Sequence, residues 1–196
     1  WTIDLEEFFA KYTSDQARYA LAANAPEAAD AEFSWKDFQL RCNSELLGKF
    51  GNFIHRVLTF AKNHCHSKIP PLKELHEIDQ KFLEQVQHLM DTIASCYMSF
   101  HLRKATQILM ELAQVGNVYF DAKKPWAAAK HPDQRASLDA TVACSISCIM
   151  NLALAASPII PESAQKIWTM LGFSSDLAKE NWEKVRKAPC PGVSGL

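Results

Sequence analysis

Leu46-Leu47-Gly48-Lys49-Phe50-Gly51-Asn52-Phe53-Ile54-His55-Arg56-Val57-Leu58-Thr59-Phe60-Ala61 is the stretch that decides the fold. Its apolar residues fall at 46, 47, 50, 54, 57, 58 and 61. Those spacings of three and four form one stripe on a helix, so the segment predicts a helix with one buried face. Asn52 and Arg56 are four apart and lie one above the other on that helix. By helical angle they point away from the stripe, into water. Phe53 and Phe60 sit on the flank beside Lys49 and Arg56, partly off the stripe. Asn and Arg carry flat hydrogen-bonding groups, and with aromatics and lysines nearby they suit unpaired bases and phosphates. An ordinary solvated helix face explains the same pattern.

The same logic extends outward. Asp4 to Tyr12 predicts a short helix with Asp4 as N-cap, and Ser14-Asp15 opens a second helix to about Ala23. Pro26 punctuates a loop, and Ser34 caps a long helix from Trp35 to about His64. Pro70-Pro71 marks a connector. Further helices are expected at about 79–97, 101–122, 134–156 and 161–171, with Gly172 as a C-cap. Stripes such as Phe82, Val86, Leu89, Ile93 and Ile108, Leu109, Leu112, Val115, Val118, Tyr119 complete the pattern of an all-α antiparallel helix bundle. The division expected is an element at 1–40, a helical domain at 41–188 and a tail at 189–196, where Pro189, Pro191 and Gly192 loosen the chain.

Composition narrows the class. The 196 residues are 48% hydrophobic and 22% charged, which describes a globular chain. No run of about eighteen uncharged apolar residues is present, so no membrane span is expected. The start does not read as a signal peptide, and Trp1 in place of an initiator Met points to a longer polypeptide. The six cysteines form no C-x-x-C pair. A disulfide framework is not expected, and a reducing compartment, the cytoplasm, is. Cys144 and Cys148 read as core residues.

Net charge is −1, yet its distribution is uneven. Residues 1–33 carry seven acids against two bases, and residues 41–73 six bases against Glu45 alone. Residues 101–135 carry six bases and three acids. The positive segments hold Asn52, Arg56 and, in Lys123-Lys124-Pro125-Trp126, a tryptophan after a proline and two lysines. Phosphate binding needs local positive potential, not a basic average. Trp126 can be a stacking platform for a base, or the first turn of a helix with its indole folded onto the bundle. His64-Cys65-His66 does not make a zinc site: three adjacent helical residues point in different directions, and no second cluster supplies the remaining ligands. No nucleotide-binding or hydrolase motif occurs.

Several short stretches together carry a resemblance: Ser14 to Tyr19, Ala22 to Glu27, Phe33-Ser34-Trp35, Asn43 to Leu46, Gly51-Asn52-Phe53 to Arg56, Pro125-Trp126, and Pro158-Ile159-Ile160-Pro161 to Trp168. In order and spacing the chain resembles the C-terminal part of the bacterial methionyl-tRNA synthetase family over nearly its whole length. The resemblance implies a small stem-contact-fold element at 1–40, with Asp4 to Arg18 against the tRNA stem, ahead of a class I synthetase anticodon-binding bundle. It implies that Asn52, Arg56 and Trp126 read the anticodon, Trp126 by stacking on its first base. Lys49, Phe53, His55, Lys123 and Lys124 would assist, chiefly at the RNA backbone. Expected partners are tRNA(Met) and the catalytic domain of the same polypeptide, with neither DNA nor membrane. Catalysis with ATP and magnesium, and any zinc, would belong to that other domain, so this chain alone should be inactive. A helical protein-interaction module remains an alternative, as does the anticodon domain of a related synthetase for cysteine, leucine, isoleucine or valine.

Overall fold

The computed structural model describes residues 4–27, 32–72 and 75–187. The tail expected at 189–196 lies outside them. The described residues are all-α, with no strand among them: α1 (Leu5–Phe9), α2 (Ser14–Ala23), α3 (Trp35–Leu40), a π-helical segment (Arg41–Gly51), α4 (Asn52–His64), α5 (Glu77–Met98), α6 (Leu102–Lys123), α7 (Pro125–Ala128), α8 (Arg135–Ala156), α9 (Pro161–Met170) and α10 (Trp182–Lys187). Short 3₁₀ turns at Pro132–Gln134 and Leu177–Lys179 complete the order.

Capping chemistry sets many of these boundaries. Asp4 accepts from the Glu6 and Glu7 amides at the start of α1. The hydroxyl of Ser34 accepts from Asp37 N at the start of α3. Each such cap is worth about 1 kcal/mol. At the end of α9, Gly172 takes φ 89°, a left-handed conformation that glycine adopts without a Cβ penalty. Gly172 N donates to Thr169 O and Phe173 N to Trp168 O, and the Phe173 and Trp168 rings stack at 3.9 Å. That is the Schellman ending with its hydrophobic contact.

The long helix expected from Trp35 to His64 exists as one continuous run of helical backbone, but its middle eleven residues are π-wound. A Cβ on Gly48 would lie 3.1 Å from Asn43 O, and one on Gly51 3.1 Å from Leu46 O, each the carbonyl five residues back. The wider turn rotates the residues before Gly51 relative to those after it. Leu47, expected on the buried stripe, is therefore exposed, whereas Phe53, expected on the flank, is fully buried. Phe53 enters a gap left by Gly116 on α6, where an added Cβ would sit 2.4 Å from its ring.

α8 forms the centre of the bundle. Seventeen of its 22 residues are buried, and α4, α5, α6, α7, α9 and α10 pack on it. A helix surrounded in this way must be apolar all round. The run Pro132–Ala156 is long and apolar enough to cross a membrane by length and composition, with mean hydropathy 1.6, but 89% of that window is buried inside this fold. Cys144 and Cys148 lie in this core, and burial raises the Cys144 thiol to about 11.

A smaller core of Phe8, Ala20 and Phe38, flanked by Tyr12, Ala17, Phe33 and Cys42, forms at the N-terminal end. Polar groups join it to the bundle. Asp15 does not cap α2, whose cap is Thr13, paired reciprocally with Gln16. It is buried instead, and its carboxylate accepts from Glu162 N at 3.4 Å and Ser163 N at 2.6 Å, capping α9. Arg18 donates to Ile159 O and Pro158 O, both at 2.9 Å. Tyr19 donates to Glu45 at 2.7 Å, while Arg41 links Asp37, Asn24 and Glu45. The stretches Ser14–Tyr19 and Pro158–Pro161, far apart in sequence, are thus two sides of one seam.

Candidate nucleic-acid interface

α4 and α6 pack closely because Gly116 admits the Phe53 ring. Directly after Gly116, α6 presents Asn117 and Asp121, four apart, to Asn52 and Arg56, also four apart on α4. Asn117 is buried, and its amide donates to Lys49 O at 3.1 Å and Ala113 O at 3.2 Å. Those bonds orient its Oδ1 toward α4. There it accepts from Asn52 Nδ2 and from Arg56 Nη1, both at 3.3 Å. Arg56 Nη2 donates to Asp121 Oδ1, and Nη1 reaches Asp121 Oδ2 at 3.4 Å, a paired guanidinium–carboxylate contact.

Arg56 is therefore not the free, solvated side chain expected from helical angle. Its side chain is 29% exposed and lies in the α4–α6 groove. The guanidinium carbon is 5.5 Å from the Phe120 ring centre and 6.0 Å from that of Trp126, within cation–π range. A guanidinium has five N–H donors, and Asp121 and Asn117 do not use all of them. Asn52 itself is exposed.

Trp126 arrives at the same place by a sharp turn. Lys124 ends α6 in the left-handed conformation, φ 44° and ψ 56°, and Pro125 is buried at the first position of α7. Trp126 is 44% exposed, and its indole meets the buried Phe120 edge-on at 6.2 Å. It is neither folded into the core nor loose in solvent. Its ring is fixed against Phe120 while the residue as a whole remains exposed.

The remaining expected residues separate. Phe53 is in the core and out of reach of any ligand on this face. Lys123 also turns inward: its side chain is 6% exposed, and Nζ lies 2.9 Å from Asp79 Oδ1 on α5. Asp79, fully buried, also accepts from Tyr119 Oη at 2.6 Å and His76 N at 2.9 Å. Burial alone would raise its carboxyl pKa, but these hydrogen bonds and the Lys123 charge hold it below the usual carboxylate range. A lysine beside a lysine gives no sequence signal of which one turns in; here Lys124 is the exposed one. His55 is exposed but lies on the other side of α4, in an apolar groove of about 660 Å³ shared with Leu58, Ile167 and Met170. Lys49 enters the site through its carbonyl. Asn117, Asp121 and Phe120 were not anticipated, although the matching four-residue spacings of Asn52/Arg56 and Asn117/Asp121 are a legible signal. Among the described residues no group of three or more His, Cys, Asp or Glu is placed to hold a metal ion. Cys65 is buried while its neighbours His64 and His66 are exposed.

Comparison with known proteins places this geometry. Residues 1–58 match the family model described as class I tRNA synthetases (M). Residues 69–191 match the one described as the anticodon binding domain of methionyl tRNA ligase. A methionine–tRNA ligase of Protochlamydia amoebophila is 53% identical over 191 residues, covering 97% of this chain and 27% of that protein. One from Chlamydia pneumoniae is 47% identical over 174 residues, covering 88% and 31%. The chain thus spans about three tenths of the relatives it matches. In fold, it superposes on the apo methionyl-tRNA synthetase of Mycobacterium tuberculosis with TM-score 0.89 at 22% identity, over 99% of this chain and 39% of that one. The buried Asn117, the paired Arg56 and the half-open Trp126 are thus features of a chain that belongs to the methionyl-tRNA ligase anticodon-binding domain family.

Proposed function

We propose that this chain binds tRNA(Met) and reads its CAU anticodon, as the recognition part of a cytoplasmic methionine–tRNA ligase whose chemistry takes place in another domain of the polypeptide. The observation that supports this most is the convergence of Asn52, Arg56 and a half-exposed Trp126 on one face, held there by Asn117, Asp121 and Phe120. Trp126 offers its open face to the first anticodon base. Asn52 and Arg56 offer their remaining polar groups to base edges, where sequence is read. Exposed Lys124 supplies charge for the backbone. ATP, with magnesium, would be used by the catalytic domain, and residues 1–40 would form the stem-contact element between that domain and the bundle. Asp15 and Arg18 hold that element to the start of α9 and to the turn before it, so its contact with a tRNA stem falls to other residues.

Titration with a CAU anticodon stem-loop at several salt concentrations tests the reading. Affinity should fall with salt along a slope set by the number of phosphates neutralised. Trp126→Ala should weaken binding by about 1–3 kcal/mol, the usual loss for one stacked base. Salt-independent binding, or full affinity without the indole, would count against it.

A further inference from the structure

The aromatic row at this face does not end at Trp126. Phe120, buried, meets Phe60 edge-on at 5.8 Å, and Phe60 carries the His64 imidazole stacked at 4.3 Å with planes 26° apart. Trp126 and His64 are the two ends of this row, and both are exposed; the two phenylalanines between them are anchored in or against the core. Arg56 lies over the Trp126 half of the row.

We propose that His64 is a second base-stacking platform, taking another unpaired base of the same RNA loop on the ring face turned away from Phe60. The proposal rests on the reading that this face binds a single-stranded loop. Histidine is among the rings that stack splayed-out bases. An imidazole already ordered on Phe60 loses little freedom when a base joins the stack. The helix end that carries it is fixed, because Arg135 Nη1 donates to His64 O at 3.0 Å. Lys124 is exposed two residues before Trp126, and the Arg135 side chain is half exposed although Nε is paired with Asp139. Trp126 and His64 are separated along the row by Phe120 and Phe60, so bases stacked on the two ends would be spread apart and not stacked on each other. Burial offers no rival reason for the ring's position, since His64 is exposed.

The test titrates the CAU stem-loop into the wild-type chain and into His64→Ala, His64→Phe and Trp126→Ala. Thermal melts confirm that each variant folds. His64→Ala should weaken binding about 5- to 150-fold with an unchanged melt, and His64→Phe should recover most of the loss because a ring is restored. Loss of affinity in Trp126→Ala alone would overturn the role of His64 and leave the anticodon reading standing. Wild-type affinity in both alanine variants would overturn both. Equal loss in His64→Ala and His64→Phe would also overturn the proposal, since stacking needs only a ring.

Discussion

Lys123→Met separates a core lysine from an RNA-binding one. Methionine keeps the packed stem and removes the charge. It leaves the Asp79 carboxylate fully buried with only Tyr119 and the His76 amide as partners. Breaking a buried ion pair from one side costs about 3–5 kcal/mol. In a domain of this size, 1 kcal/mol moves the melting temperature by about 2–4 °C, so a fall of roughly 6–20 °C is expected. The pH dependence has a definite sign. In the wild type the folded Asp79 pKa is depressed, so its contribution is present above the ordinary carboxylate range and fades as pH falls below about 4. In Lys123→Met the loss of that charge leaves burial to push the pKa upward. The deficit should therefore be largest near neutral pH and narrow on acidification. Asp79→Asn/Lys123→Met, which removes both charges, should recover much of the stability. The assay is calorimetry at several pH values beside an RNA titration. A melting temperature within a degree or two of wild type, with weaker RNA binding and a salt slope reduced by about one, would refute the argument and restore Lys123 as a phosphate contact.

Gly116→Ala should force the Phe53 ring and spread α4 from α6. Overpacking of about 1–3 kcal/mol outweighs a helix-propensity gain near 1 kcal/mol, so the melt should fall and RNA affinity with it; a more stable variant would contradict this. Asp15→Ala should cost about 0.5–2 kcal/mol by uncapping α9 while leaving stem-loop affinity intact, read by denaturant unfolding and titration; unchanged stability would show that the seam is not held there. Arg56→Gln should lower discrimination between CAU and mismatched loops more than it lowers nonspecific affinity, because a base-edge contact specifies where a phosphate contact only positions; an equal loss on every loop would assign Arg56 to the backbone.

Local chemistry made the bundle legible. The caps at Asp4 and Ser34, the ending at Gly172 and the stripes of α5 and α6 depend on near neighbours and read directly from sequence. The errors came from effects that a 3.6-residue period does not contain. The π-wound turn rotated Leu47 outward and Phe53 inward. Val118, expected on the α6 stripe, is 57% exposed, at the edge of a face where α5 and α8 already cover the rest. Asn52, Arg56 and Trp126 were visible as oddities, and the structure brings them together. Of their supports, Asn117 lies 65 residues from Asn52 and 61 from Arg56, and Asp121 lies 65 from Arg56, a pairing set by tertiary packing. Lys123 was misplaced for the same reason: its partner Asp79 sits on another helix.

The central claim is that this face reads an anticodon, and the affinity of the wild-type chain for a CAU stem-loop against loops with one anticodon base changed tests it most directly. The account predicts a loss of about 1–3 kcal/mol per changed base, in line with one lost base contact. Equal affinity for matched and mismatched loops, in a chain that melts normally, would contradict it.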